Sequence, residues 1–372
     1  MSHSGHLQSR QQIAVIGGGI IGLSLAWRLA QSNWAVTVFE QGSLGAEASW
    51  AGAGMLSLGG EIERPSALAK LALQSRRLYS GFIRELQEAS GVPIDYQECG
   101  ALDVAYSSEE LEALEARALR QVALEILSKP LAPAQISAFW PRVRTQGLAG
   151  GRFYPEDAIV NSRDVTAALA AACRKLSAEL IERCRVPRGE VSESRISLET
   201  HSGKRHFDAA VIAAGAWSAE IEMEGVLPLP AVEPVKGHLL GYQQPAGTCN
   251  TIVRHEHTYL LQRANGLLIA GTSVERVGFD REISSEIANA IAARAGFVLP
   301  HLLETSPSEV WVGFRPGSSQ LQTGAWHSPR LYLAYGHFRN GILLAPVTAQ
   351  TLAAEINANL QTRWSASSGR PG

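Results

Sequence analysis

Three glycines, Gly17, Gly19 and Gly22, and a later acid, Glu40, are the residues of this chain whose types and spacing specify chemistry most sharply. Gly17-x-Gly19-x-x-Gly22 permits a tight turn, lets backbone approach a pyrophosphate, and allows a helix to pack closely on a strand. The N–H groups at Ile20 and Ile21 then face the phosphates, because the first turn of a helix carries unpaired donors and a partial positive charge. Glu40, with Gln41 beside it, offers acceptors to ribose hydroxyls. The chemistry implied is the holding of an adenine dinucleotide; without a ligand the same pattern is a buried βαβ unit with a glycine turn. A second stretch, Gly45-Ala-Glu-Ala-Ser-Trp-Ala-Gly-Ala-Gly-Met55, is built of small residues and lets backbone lie flat against a planar ligand, or else forms a flexible surface loop.

The elements around these residues follow from hydrophobic patterning. IAVIG, then a helix, then AVTVFE ending at Glu40, read as strand, helix and strand. A helix is expected over Ser66 to Ala89, where Leu68, Leu71, Leu78 and Phe82 share a stripe. A strand follows at Ala101 to Tyr106, and Ser107-Ser-Glu-Glu110 offers a capping box for a helix reaching about Leu127. Asn161-Ser-Arg-Asp164 opens another helix to about Leu176, followed by a strand from Leu180 to Val186. Arg195–Glu199 and Arg205–Ala213 read as hairpin strands joined through Ser202-Gly203, and Ala209 to Trp217 as a buried strand entering a small-residue turn. β-type runs fill Val235 to Thr272, with Asn265-Gly266 marking a hairpin. A helix near Ser284 to Phe297, a strand at Leu331 to Ala334 and a helix from about Ile342 to Ala358 complete the chain.

This alternation predicts an α/β fold: an interrupted Rossmann-type dinucleotide-binding domain with a second, β-rich domain. The first would take residues 11–60, 150–223 and 310–362, and the second 61–149 and 224–309. A length of 372 residues exceeds one compact core. With 45% hydrophobic and 18% charged residues the composition is that of a globular enzyme. A formal net charge of −2 gives no footprint for nucleic acid. Cys99, Cys173, Cys184 and Cys249 show neither metal spacing nor a C-x-x-C pair, so no metal site is expected and a reducing cytoplasm is the expected location. The first ten residues lack a signal-peptide core, and the apolar run from Ile13 to Trp27 is short for a membrane span and rich in glycine.

VIGGGIIG, GAEASWAGAGM, VIAAGAW, FRPG and GHFRNGILLAP occur in the order found in flavin-dependent amine and amino-acid oxidases of the D-amino-acid oxidase type. From Ile13 to about Glu355 the chain resembles that family, and within it the glycine-oxidising branch that serves thiamine biosynthesis. The resemblance implies FAD, bound without a covalent link, as the cofactor. Ala48, Ser49, Ala53, Gly54 and Met55 would line the flavin, and Val186 the adenine. Ala213, Gly215 and Trp217 would form a second contact segment, and His337, Phe338, Arg339, Asn340, Gly341, Ile342 and Leu343 a third. The last helix would begin beside the flavin ring, its N-terminal dipole favouring negative charge there.

For the substrate the resemblance implies a carboxylate clamp. Arg315 matches the family's carboxylate-binding arginine, whose planar fork holds both oxygens. Tyr259 matches the tyrosine that donates to the same carboxylate. Arg339 resembles a second arginine at the flavin edge, with substrate contact open. His257 falls at a site-wall position or is a strand histidine satisfied locally, and Met55 would press on the α-substituent. The implied reaction removes a hydride from the α-carbon of glycine, sarcosine or D-alanine, yielding an imino acid and, from O2, hydrogen peroxide. No protein base is expected. Val274, in place of a larger thioether residue, and the bulky Trp50 depart from the family pattern. The resemblance also implies a homotetramer. Three rivals remain. A sarcosine or N-methyl amino-acid oxidase often ties flavin to a cysteine in the C-terminal third; the last cysteine here is Cys249, so that linkage has no partner at the corresponding place. A quinone-linked D-amino-acid dehydrogenase would use a basic amphipathic anchor, and a non-catalytic flavin module would not need a carboxylate clamp.

Overall fold

The computed structural model describes residues 10–367, with side chains described as far as residue 360. The polar N-terminal stretch judged above to lack a signal-peptide core lies, apart from Arg10, outside the described residues. The opening βαβ unit forms as patterned: β1 (Gln12–Ile16), α1 (Ile20–Gln31) and β2 (Ala35–Phe39). β1 lies inside a six-stranded sheet, between β2 and the strand Ala209–Ile212, with Ile13 opposite Ala209 and Val36. The strands Leu331–Tyr335 and Glu179–Ile181 extend the sheet in parallel on either side, and Gln322–Ala325 adds an antiparallel edge. All four central strands are almost entirely apolar and buried, as expected where helices or other layers cover both faces of a parallel sheet. α1 packs against the helices Ser162–Lys175 and Gly341–Ser367, its Leu23, Leu25, Trp27 and Leu29 fully buried. This is the α/β fold the alternation predicts.

A larger sheet of eight strands supplies the β-rich part. Its order is Glu309–Gly317, Glu233–Gln243, Leu267–Gly271, Thr258–Gln262, Ile252–His255, Ala101–Ala105, Gly150–Tyr154 and Lys129–Leu131. Neighbours run antiparallel except Ile252–His255 beside Ala101–Ala105. The helix Ser285–Val298, capped by the Ser284 hydroxyl, packs on this sheet. A short sheet joins β3 (Met55–Leu56) to Ala158–Val160 and Tyr96–Gln97, which ties the small-residue loop to both halves of the molecule.

Several elements differ from their expected extents. The helix opened by Ser107 ends at Val122, short of Leu127, and its capping box is half reciprocal. The Ser107 hydroxyl accepts from Glu110 N–H, but the Glu110 carboxylate accepts from Tyr106 N–H, one residue earlier than the motif requires. The strand expected over Leu180 to Val186 stops at Ile181 because Arg183 adopts φ 55°, turning the chain across the end of β2. There Cys184 N–H donates to Glu40 O at 2.8 Å, and Val186 is left in a loop. Arg205 to Ala213 is two strands, Gly203–Phe207 and Ala209–Ile212, in separate sheets, divided at Asp208, whose carboxylate accepts Gln12 N–H. Part of the small-residue loop is a single helical turn, α2 (Ala48–Ala51).

Candidate functional site

Where β1 meets α1, backbone leaves no room for side chains. Gly17 has φ 115°, and a Cβ there would lie 2.3 Å from Ala213 O; a Cβ on Gly22 would lie 1.9 Å from Gly17 O. Helix, turn and neighbouring strand are therefore in contact through their main chains. Glu40 closes the arrangement: its two oxygens accept from Gly18 N–H and Gly42 N–H, each at 2.8 Å. Burial raises its pKa, and the two backbone N–H groups act in the opposite direction. Each carboxylate oxygen retains acceptor capacity for a hydroxyl donor. The N–H of Ile20 donates to Ser49 Oγ at 2.9 Å, so a side chain from α2 caps α1 at the place assigned from the motif to phosphate. Ile21 lines the cavity beside it.

These residues border a cavity of about 1300 Å³ including its open mouth. Gly17, Gly19, Ile20, Ile21, Glu40, Gln41, Ala48, Ser49 and Val186 line it, together with Ala213, Gly215 and Trp217 from the second expected segment. The third segment enters through His337, Phe338, Arg339, Gly341 and Ile342, and the helix Gly341–Ser367 begins in the cavity wall. Trp217 is held by Phe279, stacked at 4.6 Å between ring centroids. His337 is buried against Thr348 Oγ1 at 3.1 Å, and burial drives its pKa from 6.5 down to about 3, so it is neutral. A glycine cradle without space for Cβ atoms, a buried carboxylate at the end of β2, and a helix N-terminus at the far wall fit a dinucleotide carrying a flat redox ring.

A second cavity of about 720 Å³ adjoins the first, sharing Ala48, Gly52, Phe314, Arg315, Arg339 and Ile342 with it. Met55, Ala53, Gly54, Asn340 and Leu343 face this second space. Arg315 comes from the edge strand Glu309–Gly317 and Tyr259 from Thr258–Gln262; two intervening strands separate them in the sheet. Both side chains fit because their neighbours are glycines. A Cβ on Gly237 would lie 2.3 Å from Arg315 Nη1, and one on Gly271 would lie 2.4 Å from Tyr259 Oη. Arg315 donates to Ser273 O at 3.2 Å and to Thr272 Oγ1 at 2.8 Å. Among the described residues no carboxylate lies within 4 Å of its guanidinium. Burial is the main influence on both groups, lowering the pKa of Arg315 from 12.5 and raising that of Tyr259 from 10.0. The upward shift keeps the Tyr259 phenol protonated at neutral pH.

Some expected residues lie elsewhere. His257 is exposed in the two-residue turn between Ile252–His255 and Thr258–Gln262 and lines neither cavity; φ 48° at Glu256 breaks the strand alternation that would have aligned it with Tyr259. Val274 is 54% exposed and outside both cavities, so it has no bearing on pocket size. Trp50 points out of the small-residue loop, where the Arg163 guanidinium lies 3.7 Å over its ring. Gly22 lines neither cavity and acts through packing alone. Conversely, Glu61, Thr272, Gly237 and Gly271 were missed. The glycines carried a signal: an isolated glycine inside a strand marks close approach by another group. Glu61 carried none, because one acid in a turn resembles any solvated charge.

The profile of the family described as DAO, FAD dependent oxidoreductase, matches residues 12–355. The glycine oxidase of Geobacillus kaustophilus is 32% identical over 348 residues, covering 92% of each chain. The bifunctional protein ThiO/ThiG of a Synechocystis strain is 31% identical, with the match covering 93% of this chain and 52% of that protein. The crystal structure of glycine oxidase from Geobacillus kaustophilus superposes with a TM-score of 0.86 at 31% identity, covering 93% of this chain and 94% of that one.

Proposed function

The chain belongs to the FAD dependent oxidoreductase family, and from that premise we propose that it oxidises glycine, and more weakly sarcosine and D-alanine, to the imino acid. Oxygen is the electron acceptor, and the imine of glycine feeds formation of the thiazole of thiamine. The observation that carries this reading is Arg315: a partly buried guanidinium, bonded only to neutral oxygens, lining with Tyr259 a small cavity next to the cofactor cavity. A desolvated cation without a counter-ion is a strong receptor for a carboxylate. The likeness to glycine oxidases and to ThiO/ThiG supports the choice of substrate and pathway.

FAD, when bound, accepts the two electrons of amine oxidation and passes them to O2. Gly17, Gly19, Glu40 and Val186 would hold its adenine dinucleotide half, and Ala48, Ser49, Gly52 and Ile342 would border its ring. Arg315 takes both carboxylate oxygens and Tyr259 donates a further hydrogen bond, which fixes the face presented by the α-carbon. Among the described residues lining the second cavity there is no histidine or lysine, and the Glu61 carboxylate is engaged by Arg339. The protein therefore works by orientation and desolvation rather than by taking the α-proton. The proposal includes FAD held without a covalent bond; Cys184, which lines the cofactor cavity, sits beside Glu40, whose main-chain oxygen accepts its N–H. No helix among the described residues is long and apolar enough to cross a membrane. The proposal includes a cytoplasmic homotetramer, which light scattering would read as four times the 39.9 kDa chain mass.

The test is a peroxide assay over glycine, sarcosine, D-alanine and bulky D-amino acids, with acid precipitation of the protein. Glycine should give the highest kcat/KM in thiamine-limited complementation strains and in vitro, and the precipitate should be colourless beneath a yellow supernatant. A tenfold preference for bulky D-amino acids together with failed complementation would reject glycine as the substrate.

A further inference from the structure

The second cavity contains a charged group that neither the cofactor nor the carboxylate clamp uses. Glu61 lines it, and Glu61 Oε1 accepts from Arg339 Nη2 at 2.7 Å, with side chains 17% and 41% exposed. Its turn is fixed from beneath. Asp157, 1% exposed, accepts from Leu58 N–H, Gly59 N–H and the Ser57 hydroxyl. Gln121 Nε2 donates to Gly59 O and Ile62 O at 2.9 and 2.6 Å, one residue or two from Glu61 on either side. Arg254 bonds Asp157 at 2.7 Å, and a Cβ on Gly60 would lie 2.8 Å from Arg254 Nη1. A surface turn that only needed solubility would not require this scaffold.

The scaffold determines the charge of the cavity. Two cations border it, Arg315 and Arg339, and Glu61 neutralises the second. We propose that Glu61 sets substrate charge: by pairing with Arg339 it leaves Arg315 as the one uncompensated cation among the described lining residues, so the site accepts amino acids with a single carboxylate and rejects those bearing a second acidic group. The inference rests on the carboxylate–amine reading given above and refines it. Electrostatics agree with the geometry, since Arg339 and Glu61 act on Arg315 with opposite signs. Removal of the Glu61 charge would free Arg339, which borders the same space, for a second acidic group of the ligand.

The experiment uses the FAD-loaded protein, with acetate and malonate as probes of binding through perturbation of flavin absorbance, and glycine and iminodiacetate as probes of turnover. In Glu61→Gln the affinity for malonate relative to acetate should rise by about tenfold or more, as a new charge-assisted hydrogen bond implies, and the iminodiacetate-to-glycine ratio of kcat/KM should rise with it. In Arg339→Gln both ratios should fall, because Glu61 then stands unpaired and repels the second carboxylate. That second variant also serves if Glu61→Gln does not fold. Malonate-to-acetate ratios within twofold of the parent in the folded variants would overturn the proposal, as would loss of acetate binding in Glu61→Gln without any gain for malonate. A parent protein that neither binds acetate nor oxidises glycine would instead overturn the amino-acid reading itself, so the two failures are distinct.

Discussion

The two adjoining cavities are built by opposite means. The dinucleotide cavity is made largely of main chain: Gly17 against Ala213 O, Gly22 against Gly17 O, and Glu40 receiving two backbone N–H groups. Its central parts come from β1, α1 and the end of β2, one contiguous stretch. The smaller cavity is made of side-chain charge. Arg315, Tyr259, Glu61 and Arg339 arrive from four separate segments, and glycines at 237 and 271 serve them by standing aside. A backbone receptor suits a ligand that every member of a fold class binds by its phosphates. A side-chain receptor decides which small molecule reacts, and one change of residue alters it without disturbing the frame.

Removal of the main charge should give the largest effect. Arg315→Ala leaves the glycine carboxylate without a bidentate partner worth roughly 3–5 kcal/mol, so kcat/KM should fall by about a hundred- to several-thousand-fold. FAD content, read by absorbance per protein, should stay unchanged. Near-normal turnover in a yellow Arg315→Ala protein would move the clamp elsewhere.

The glycines sharpen the contrast between the cavities. Gly22→Ala places a Cβ 1.9 Å from Gly17 O, which α1 must move to relieve. The expected cost is about 3 kcal/mol of stability, with FAD loss on gel filtration; unchanged Tm and full FAD content would show that the turn yields freely. Gly237→Ala places a Cβ 2.3 Å from Arg315 Nη1, a side-chain atom rather than backbone. Here kcat/KM for glycine should drop by up to about a hundredfold through misplacement of the guanidinium, while Tm and FAD content hold. If the Gly237→Ala protein loses FAD instead, the division between the two cavities fails.

The smallest effect is a pH dependence located in the dinucleotide cavity. His337 is held neutral by burial, with its pKa lowered from 6.5 to about 3. Below pH 6.5 the unfolded chain takes a proton that the folded chain refuses, so stability falls as pH falls through this window and is fully present above it. Between pH 7 and pH 5 this group alone should remove about 2 kcal/mol. Urea denaturation of the parent and of His337→Gln at the two pH values should differ by that amount. Parallel pH profiles would mean that His337 takes up its proton without unfolding.

The dinucleotide cavity was legible because its determinants are local. Gly17, Gly19, Gly22 and Glu40 are spaced by the geometry of one βαβ unit, and no distant residue is needed to read them. Helix starts at Ser66, Ser107, Asn161 and Ser284 were legible for the same reason, each side chain capping its own first turn. The misplaced strand end at Val186 and the division at Asp208 were not, since both depend on contacts with β1 and β2 made far along the chain.

What the amino-acid order determined by itself was the frame for FAD and, through resemblance, which arginine and tyrosine to watch. What only the tertiary structure decided was their company. Arg315 and Tyr259 share a cavity because two intervening strands and two glycines set their spacing; His257 leaves it because of one turn with positive φ. Glu61 enters it because buried Asp157 and Gln121 hold its loop. Hydrogen bonding within a turn or a βαβ unit is written in neighbouring residues, whereas the balance of charge in a cavity is a sum over segments that meet only once the chain has folded.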